Sequence, residues 1–185
     1  MSTAPASSAT TSTWNIDPTH SAAEFKIRHL MISNVKGSFP KVTGVLTLDE
    51  ANPENSSVQA SIDVTSIETR DAGRDTHLKS ADFFDVEKFP TMTFKSTRAN
   101  PTGVGEGIVE GNLTIRDVTQ KVTFEVEGPT PAIKDPWGNE RVGVSATTKI
   151  SRKEFGLTWS APMETGGVLV GDEVTITLEV EFVKA

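Results

Sequence analysis

An all-β domain is what this sequence predicts, and three observations carry the prediction. The first is a terminal stretch with strict alternation. Val174, Ile176, Leu178, Val180 and Phe182 are separated by Thr175, Thr177, Glu179 and Glu181. Period two over nine residues gives one apolar and one wet face, the mark of a half-buried strand. The second is the recurrence of that pattern. Phe25, Ile27 and His29 alternate with Lys26 and Arg28, and Val58, Ala60, Ile62 and Val64 with Gln59, Ser61 and Asp63. Val109, Leu113 and Ile115 share a parity, as do Val122, Phe124 and Val126, and then Val142, Val144, Ala146 and Ile150. Val42 to Leu48 and Met92 to Phe94 are weaker runs, which brings the total to about eight strands. The third is the turn chemistry between them. Asn52-Pro53 and Asn100-Pro101 initiate turns, Gly103, Gly105 and Gly107 relax the backbone, and Asp117 sits in a short polar link. Asp135-Pro136-Trp137-Gly138-Asn139 reads as a hairpin loop.

Two segments depart from the β pattern. Asp71 to Phe84 is polar, short of β-branched residues, and spaces Leu78 and Ala81 as a helix would; Asp75 is its candidate N-cap. A second short helical turn is expected over Leu30 to Asn34. Residues 1–13 form a separate region. Ser2 to Thr13 contains only Ser, Thr, Ala and Pro, so it cannot bury enough apolar surface to fold and is expected to be a disordered tail before a domain spanning 14–185. It has neither the basic start nor the apolar run of a secretory signal, which points to a cytoplasmic protein.

Composition excludes several function classes. The chain has 185 residues and no cysteine, which removes thiol catalysis, Cys-ligated zinc and iron–sulfur clusters. Its net charge of −7 gives no general attraction for phosphate backbones, so nucleic acid is not an expected partner. No apolar run is long enough for a transmembrane helix. The three histidines, His20, His29 and His77, show no local metal-ligand spacing, and no metal is expected. Hydrogen bonding in the loops that shape a barrel mouth is their simpler role. His20-Ser21 with Asp75 suggests a hydrolase triad only loosely, because no Gly-x-Ser-x-Gly elbow is present. Gly103-x-Gly105-x-Gly107 leads into a strand, whereas a nucleotide loop opens a helix.

Alternation does not distinguish a sandwich from a barrel, nor a filled barrel from a hollow one. His29 shares the parity of Phe25 and Ile27, and Arg152 shares that of Val144, Ala146 and Ile150. A polar group ending an apolar strand face marks either a cavity mouth or the point where the strand meets water. An arginine at a mouth would suit a phosphate or carbonyl head group through its planar fork.

An ordered series of short motifs narrows the choice. Trp14-Asn15-Ile16-Asp17-Pro18-Thr19-His20-Ser21 opens it, followed by Phe25-Lys26-Ile27-Arg28-His29 and Val35-Lys36-Gly37-Ser38-Phe39. Asp75-Thr76-His77-Leu78-Lys79-Ser80, Asp82-Phe83-Phe84-Asp85 and Phe89-Pro90 come next. Gly111-Asn112-Leu113-Thr114-Ile115-Arg116 and Ser151-Arg152-Lys153-Glu154-Phe155-Gly156-Leu157 complete it. From Trp14 to the C-terminus the chain resembles the YceI-like family of polyisoprenoid-binding proteins. It departs from the family pattern at Asp117, where glycine is frequent, and in lacking the signal peptide that many relatives carry.

The resemblance implies an extended antiparallel eight-stranded lipocalin-like barrel with a short helical insertion, and a tunnel for a polyprenyl chain or quinone tail. It implies binding and transport or sequestration of a lipid, with no catalytic residues and no cofactor other than the lipid. Phe25, Ile27, Phe94, Leu113, Ile115, Val144 and Ile150 are then expected to line the chain site, with His29 and Arg152 near the head group. In a hollow barrel, the helical segment with Phe83, Phe84 and Phe89 would close one end as a lid. Two alternatives remain at this point. One is a lipid-modifying enzyme with His20 or His77 as general base. The other is a filled barrel serving as an interaction module, through an edge strand or as a homodimer.

Overall fold

In the computed structural model, which describes residues 11–185, the chain is built almost wholly from antiparallel strands. In chain order these are β1 (Thr11–Ile16), β2 (Ala22–His29), β3 (Ser33–Phe39), β4 (Val42–Asp49), β5 (Ser57–Asp63), β6 (Thr91–Gly103), β7 (Glu106–Ile115), β8 (Val118–Glu127), β9 (Ile133–Lys134), β10 (Glu140–Ser151) and β11 (Val170–Lys184). A single α-helix, α1 (Ala72–Lys79), stands between β5 and β6. Eight strands close the barrel in the order β11, β1, β4, β5, β6, β7, β8, β10 and back to β11. The barrel expectation holds, and the sandwich alternative falls.

Closure depends on β11. One of its edges pairs with β10 from Ser151↔Glu173 to Arg141↔Val183. The other edge is shared. β1 takes its C-terminal end, with Ile16 opposite Phe182, and β2 takes its first half, with Phe25 opposite Ile176. β1 and β2 are therefore successive pieces of one wall, broken by the corner at 17–21. The β2–β3 hairpin extends this wall past the barrel proper.

The corner is held by charge. Arg141 on β10 donates from Nη1 to Asp17 Oδ2 at 2.6 Å and to Glu181 Oε2 at 3.2 Å, and from Nε to Asp135 Oδ2 at 2.7 Å. The Thr19 hydroxyl, then Arg141, then His20 hold the Asp17 carboxyl well below the usual carboxylate range, and Arg141 first of all does the same for Asp135. A depressed folded pKa contributes stability that is present above the unfolded value, about 3.9, and is lost as pH falls through the folded value. Arg141→Gln is therefore expected to destabilise most at neutral pH, with the gap to the wild type narrowing below about pH 4. Urea midpoints measured at several pH values check this; a gap independent of pH would count against the ion-pair account.

Four local expectations are corrected. Thr11–Thr13 are strand, not tail, because their main chain pairs with β4 through Thr11↔Asp49 and Thr13↔Thr47; residues 1–10 of the expected tail lie outside the described residues. The helix is shorter than 71–84, and its N-cap is Asp71, whose carboxylate accepts from Arg74 N at 2.7 Å. Asp75 instead accepts from Thr69 N and Oγ1, pinning the preceding loop to the helix. Leu30 to Asn34 is no helical turn. Leu30 and Met31 have φ of 51° and 62°, and the link closes a hairpin with His29 opposite Ser33. Finally, Val64 leaves β5 to begin a 3-10 turn capped by the Asp63 carboxylate.

Candidate functional site

The inward parity of the strands builds a cavity of about 740 Å³ along the barrel axis. That lies within the roughly 300–1,000 Å³ typical of small-molecule sites. It is hollow for a local reason. The ring of Phe25 lies over Gly37 on β3, and the ring of Phe94 lies over Gly111 on β7. A Cβ at either glycine would come within 2.4 Å of the ring edge. With glycine there, each ring occupies space on the neighbouring strand that a side chain would otherwise fill.

All nine residues expected from the sequence line this cavity. Phe25, Ile27 and His29 come from β2, Phe94 from β6, Leu113 and Ile115 from β7, and Val144 and Ile150 from β10, with Arg152 just beyond it. The structure places all nine side chains on the inward side of the wall.

The two ends differ chemically. β6 starts at Thr91 beside the helical segment and ends at Gly103, so Asn100, Glu106 and Gly128–Pro129 mark the far end. At the helical end the lining includes Arg28, His29, Arg74, His77 and Arg152. Four of these come from β2 and α1. Gly73, Arg74, His77 and Leu78 of α1 face the cavity, and Phe83 and Phe84 follow them, so the helical segment forms a wall at this end. Phe89 does not join it but packs under Arg116 instead.

Arg152 occupies a different setting from the open mouth its strand-end position suggests. It is only 5 % exposed. Its Nε donates to Gly171 O at 2.7 Å, and its Nη1 donates to Leu157 O and Trp159 O, both at 2.7 Å. Nη2 has one partner among the described residues, Val170 O at 3.4 Å, so it keeps donor capacity. No carboxylate pairs with it among the described residues, and burial pulls its pKa down. Arg152 therefore ties the 157–171 crossing to the end of β10 while contributing a buried cation to the cavity wall.

Sequence reasoning missed Arg74 and Trp159. Arg74 donates from Nε and Nη2 to Thr69, leaving Nη1 without a hydrogen bond among the described residues. It stands one residue before the Asp75 motif and carries no pattern of its own. Trp159 lies in a stretch without alternation. It meets the His77 ring edge-on at 4.7 Å, and His77 in turn bonds Asp82 Oδ2 at 2.8 Å. His77, expected to hydrogen-bond within a loop, does so from α1 instead.

The other constellations do not assemble. Ser21 bonds the Glu181 main chain, His20 bonds Asp17, and Asp75 bonds Thr69, so no triad forms. His20 is absent from the cavity lining, which removes one of the two general bases of the enzyme alternative; His77 remains. Among the described residues, Asp17, His20 and Glu181 bring ligand atoms within 4.8 Å of one another. Arg141 already lies against both carboxylates of that group, and a guanidinium there repels a metal cation.

A closed antiparallel barrel with an apolar interior and one short helical segment at its end has the architecture of the lipocalin-like barrels. The chain belongs to the YceI-like domain family, whose model matches residues 14–182. A UPF0312 protein of Staphylococcus aureus is 36 % identical over 169 residues, covering 91 % of this chain and 96 % of the relative. The YCEI protein of Campylobacter jejuni superposes with a TM-score of 0.73 at 32 % identity, covering 86 % of this chain and 91 % of that one. A polyisoprenoid binding domain from Saccharophagus degradans superposes with a TM-score of 0.67 over 93 % of this chain and 98 % of that one; at 14 % identity it shares the fold alone.

Proposed function

We propose that this protein holds one long apolar lipid of isoprenoid type, a polyprenyl chain or a quinone tail, and carries or sequesters it. The carrying observation is the shape and lining of the cavity. On β11 the lining runs from Val170 to Phe182, which is about 40 Å of strand and, with ordinary barrel tilt, about 30 Å along the axis. Apolar side chains line most of that length, which suits an extended hydrocarbon chain. A compact ligand would leave most of such a tunnel empty.

Burial of apolar chain yields up to about 0.8 kcal/mol per CH₂, so a few isoprene units supply the affinity even after ordering costs. The cations at the helical end then govern orientation and head-group preference. Arg152 through its spare Nη2 donor, Arg74 through Nη1 and His29 at the strand end suit a phosphate or carbonyl head group.

Native mass spectrometry of freshly purified protein, paired with solvent extraction, tests the reading. One lipid mass per chain, recovered in the extract as an isoprenoid, is expected. A clean apo mass that also fails to load with polyprenyl lipids would overturn it.

A further inference from the structure

We infer that the β2–β3 hairpin is a membrane-docking element that sets the helical end of the cavity against an anionic lipid surface. Its link, Leu30-Met31-Ile32, is wholly apolar, with Met31 54 % and Ile32 77 % exposed. A second link joins it: Leu30 N donates to Leu169 O at 2.9 Å, beside Val168, which is 42 % exposed. Two separate parts of the chain thus place large apolar side chains in water at one spot. Leu30 and Met31 also adopt left-handed backbone, which turns favour in Asn or Gly and penalise in large side chains. The exposed Met31 side chain gains no internal packing in exchange. Backbone strain of this kind clusters at functional sites.

The stem carries the complementary charge. With Phe25, Ile27 and His29 turned to the cavity, Lys26 faces outward and Lys36 on β3 stands directly opposite it, while Arg28, exposed on the parity of Lys26, reaches the rim of the cavity. Like charges in register repel. None of the three has an ion-pair partner among the described residues, in a chain whose net charge is −7. An apolar tip above a basic shaft matches the layering of a membrane interface, acyl boundary within and lipid phosphates outside it. Arg28 lies two to three residues from the tip, roughly 7–10 Å, about the depth of the head-group layer. Position supplies the last link. His29, Leu169 and Val170 belong both to this hairpin region and to the cavity lining, so docking brings the end of the cavity to the lipid. Resting on the carrier reading, this gives the ligand a route between bilayer and barrel that avoids water.

The test is flotation of the full chain with vesicles of phosphatidylcholine alone and of equal parts phosphatidylcholine and phosphatidylserine. The wild type is expected to float with the anionic vesicles and to be released by salt. Lys26→Ser with Lys36→Ser should weaken binding roughly 25-fold, about fivefold per charge. Met31→Ser with Ile32→Ser should abolish flotation while leaving the circular dichroism spectrum unchanged. Flotation indifferent to both pairs of substitutions, or no flotation of the wild type, overturns the inference. So does a homodimer that the Met31 and Ile32 substitutions split without any vesicle binding, because the tip is then a self-association surface. Native mass spectra of the same samples separate the two ideas. Vesicle binding by a chain that never holds lipid upholds docking and sinks the carrier reading, whereas a lipid-loaded chain that ignores vesicles does the reverse.

Discussion

Arg152→Ala is expected to cost about 3 kcal/mol or more of folding stability, because several buried main-chain carbonyls lose their donor together. The side chain is 5 % exposed and its donors meet the main-chain carbonyls of Leu157, Trp159, Val170 and Gly171. Truncation leaves those carbonyls without a partner where water has little access, and each buried unsatisfied group costs about 1–3 kcal/mol. Part of the loss is returned, because the buried cation has no paired carboxylate and its own desolvation is relieved. Arg152→Lys should rescue little. One ammonium cannot replace a planar fork that reaches carbonyls from two separated segments. Urea unfolding of both variants checks this. A loss under about 1 kcal/mol for Arg152→Ala would mean that the 157–171 crossing holds itself without the arginine.

Arg152 also shows where sequence reading stops. Its parity with Val144, Ala146 and Ile150 is visible in the chain, and the structure puts it in the cavity wall. Its partners are not visible, because they come from a crossing with no alternation and no motif, and only the closed barrel lays that crossing over the strand end. The same division runs through the fold. Strands with strong alternation, such as Val174 to Phe182, are legible because one face must be apolar. β1 begins in Ser and Thr, which look like tail by composition. What makes them strand is the ladder with β4, a gain in main-chain pairing that composition does not record. β3 hides its alternation because Gly37 stands where an inward side chain would be, and the missing side chain is what makes room for Phe25. Asp71 and Asp75 are equally good caps as residue types. Asp71 is the cap, accepting from Arg74 N, while Asp75 is taken up by Thr69, a division that residue type does not record. Arg74, free at Nη1 on the cavity wall, follows from that same helix start and from nothing in its neighbours.

Leu113→Glu is expected to abolish lipid retention at neutral pH, lowering affinity by at least about 100-fold, while the barrel still folds. Leu113 is buried, points into the lumen and stands opposite Phe94 on β6. In the empty barrel a carboxylate there can be reached by water entering the cavity, so its desolvation is incomplete and folding survives with reduced stability. A hydrocarbon chain expels that water. The carboxylate must then stay charged in an apolar tube or take up a proton. Stranding even a neutral polar group without a hydrogen bond costs roughly 2–7 kcal/mol, which exceeds what a few methylenes return. The linkage has a definite sign. Burial beside lipid raises the glutamate pKa, so retention should recover in part as pH falls toward that raised value. Ala60→Trp is the uncharged counterpart. Ala60 lines the cavity opposite Phe94, and an indole there obstructs the tunnel by volume, with no dependence on pH. Native mass spectra of the two variants, each checked for fold by circular dichroism, read the outcome directly. If both fold and both still carry one lipid per chain, the lipid lies somewhere other than the lumen. If Ala60→Trp alone excludes it, the tunnel is wet enough for a carboxylate to lie beside the chain.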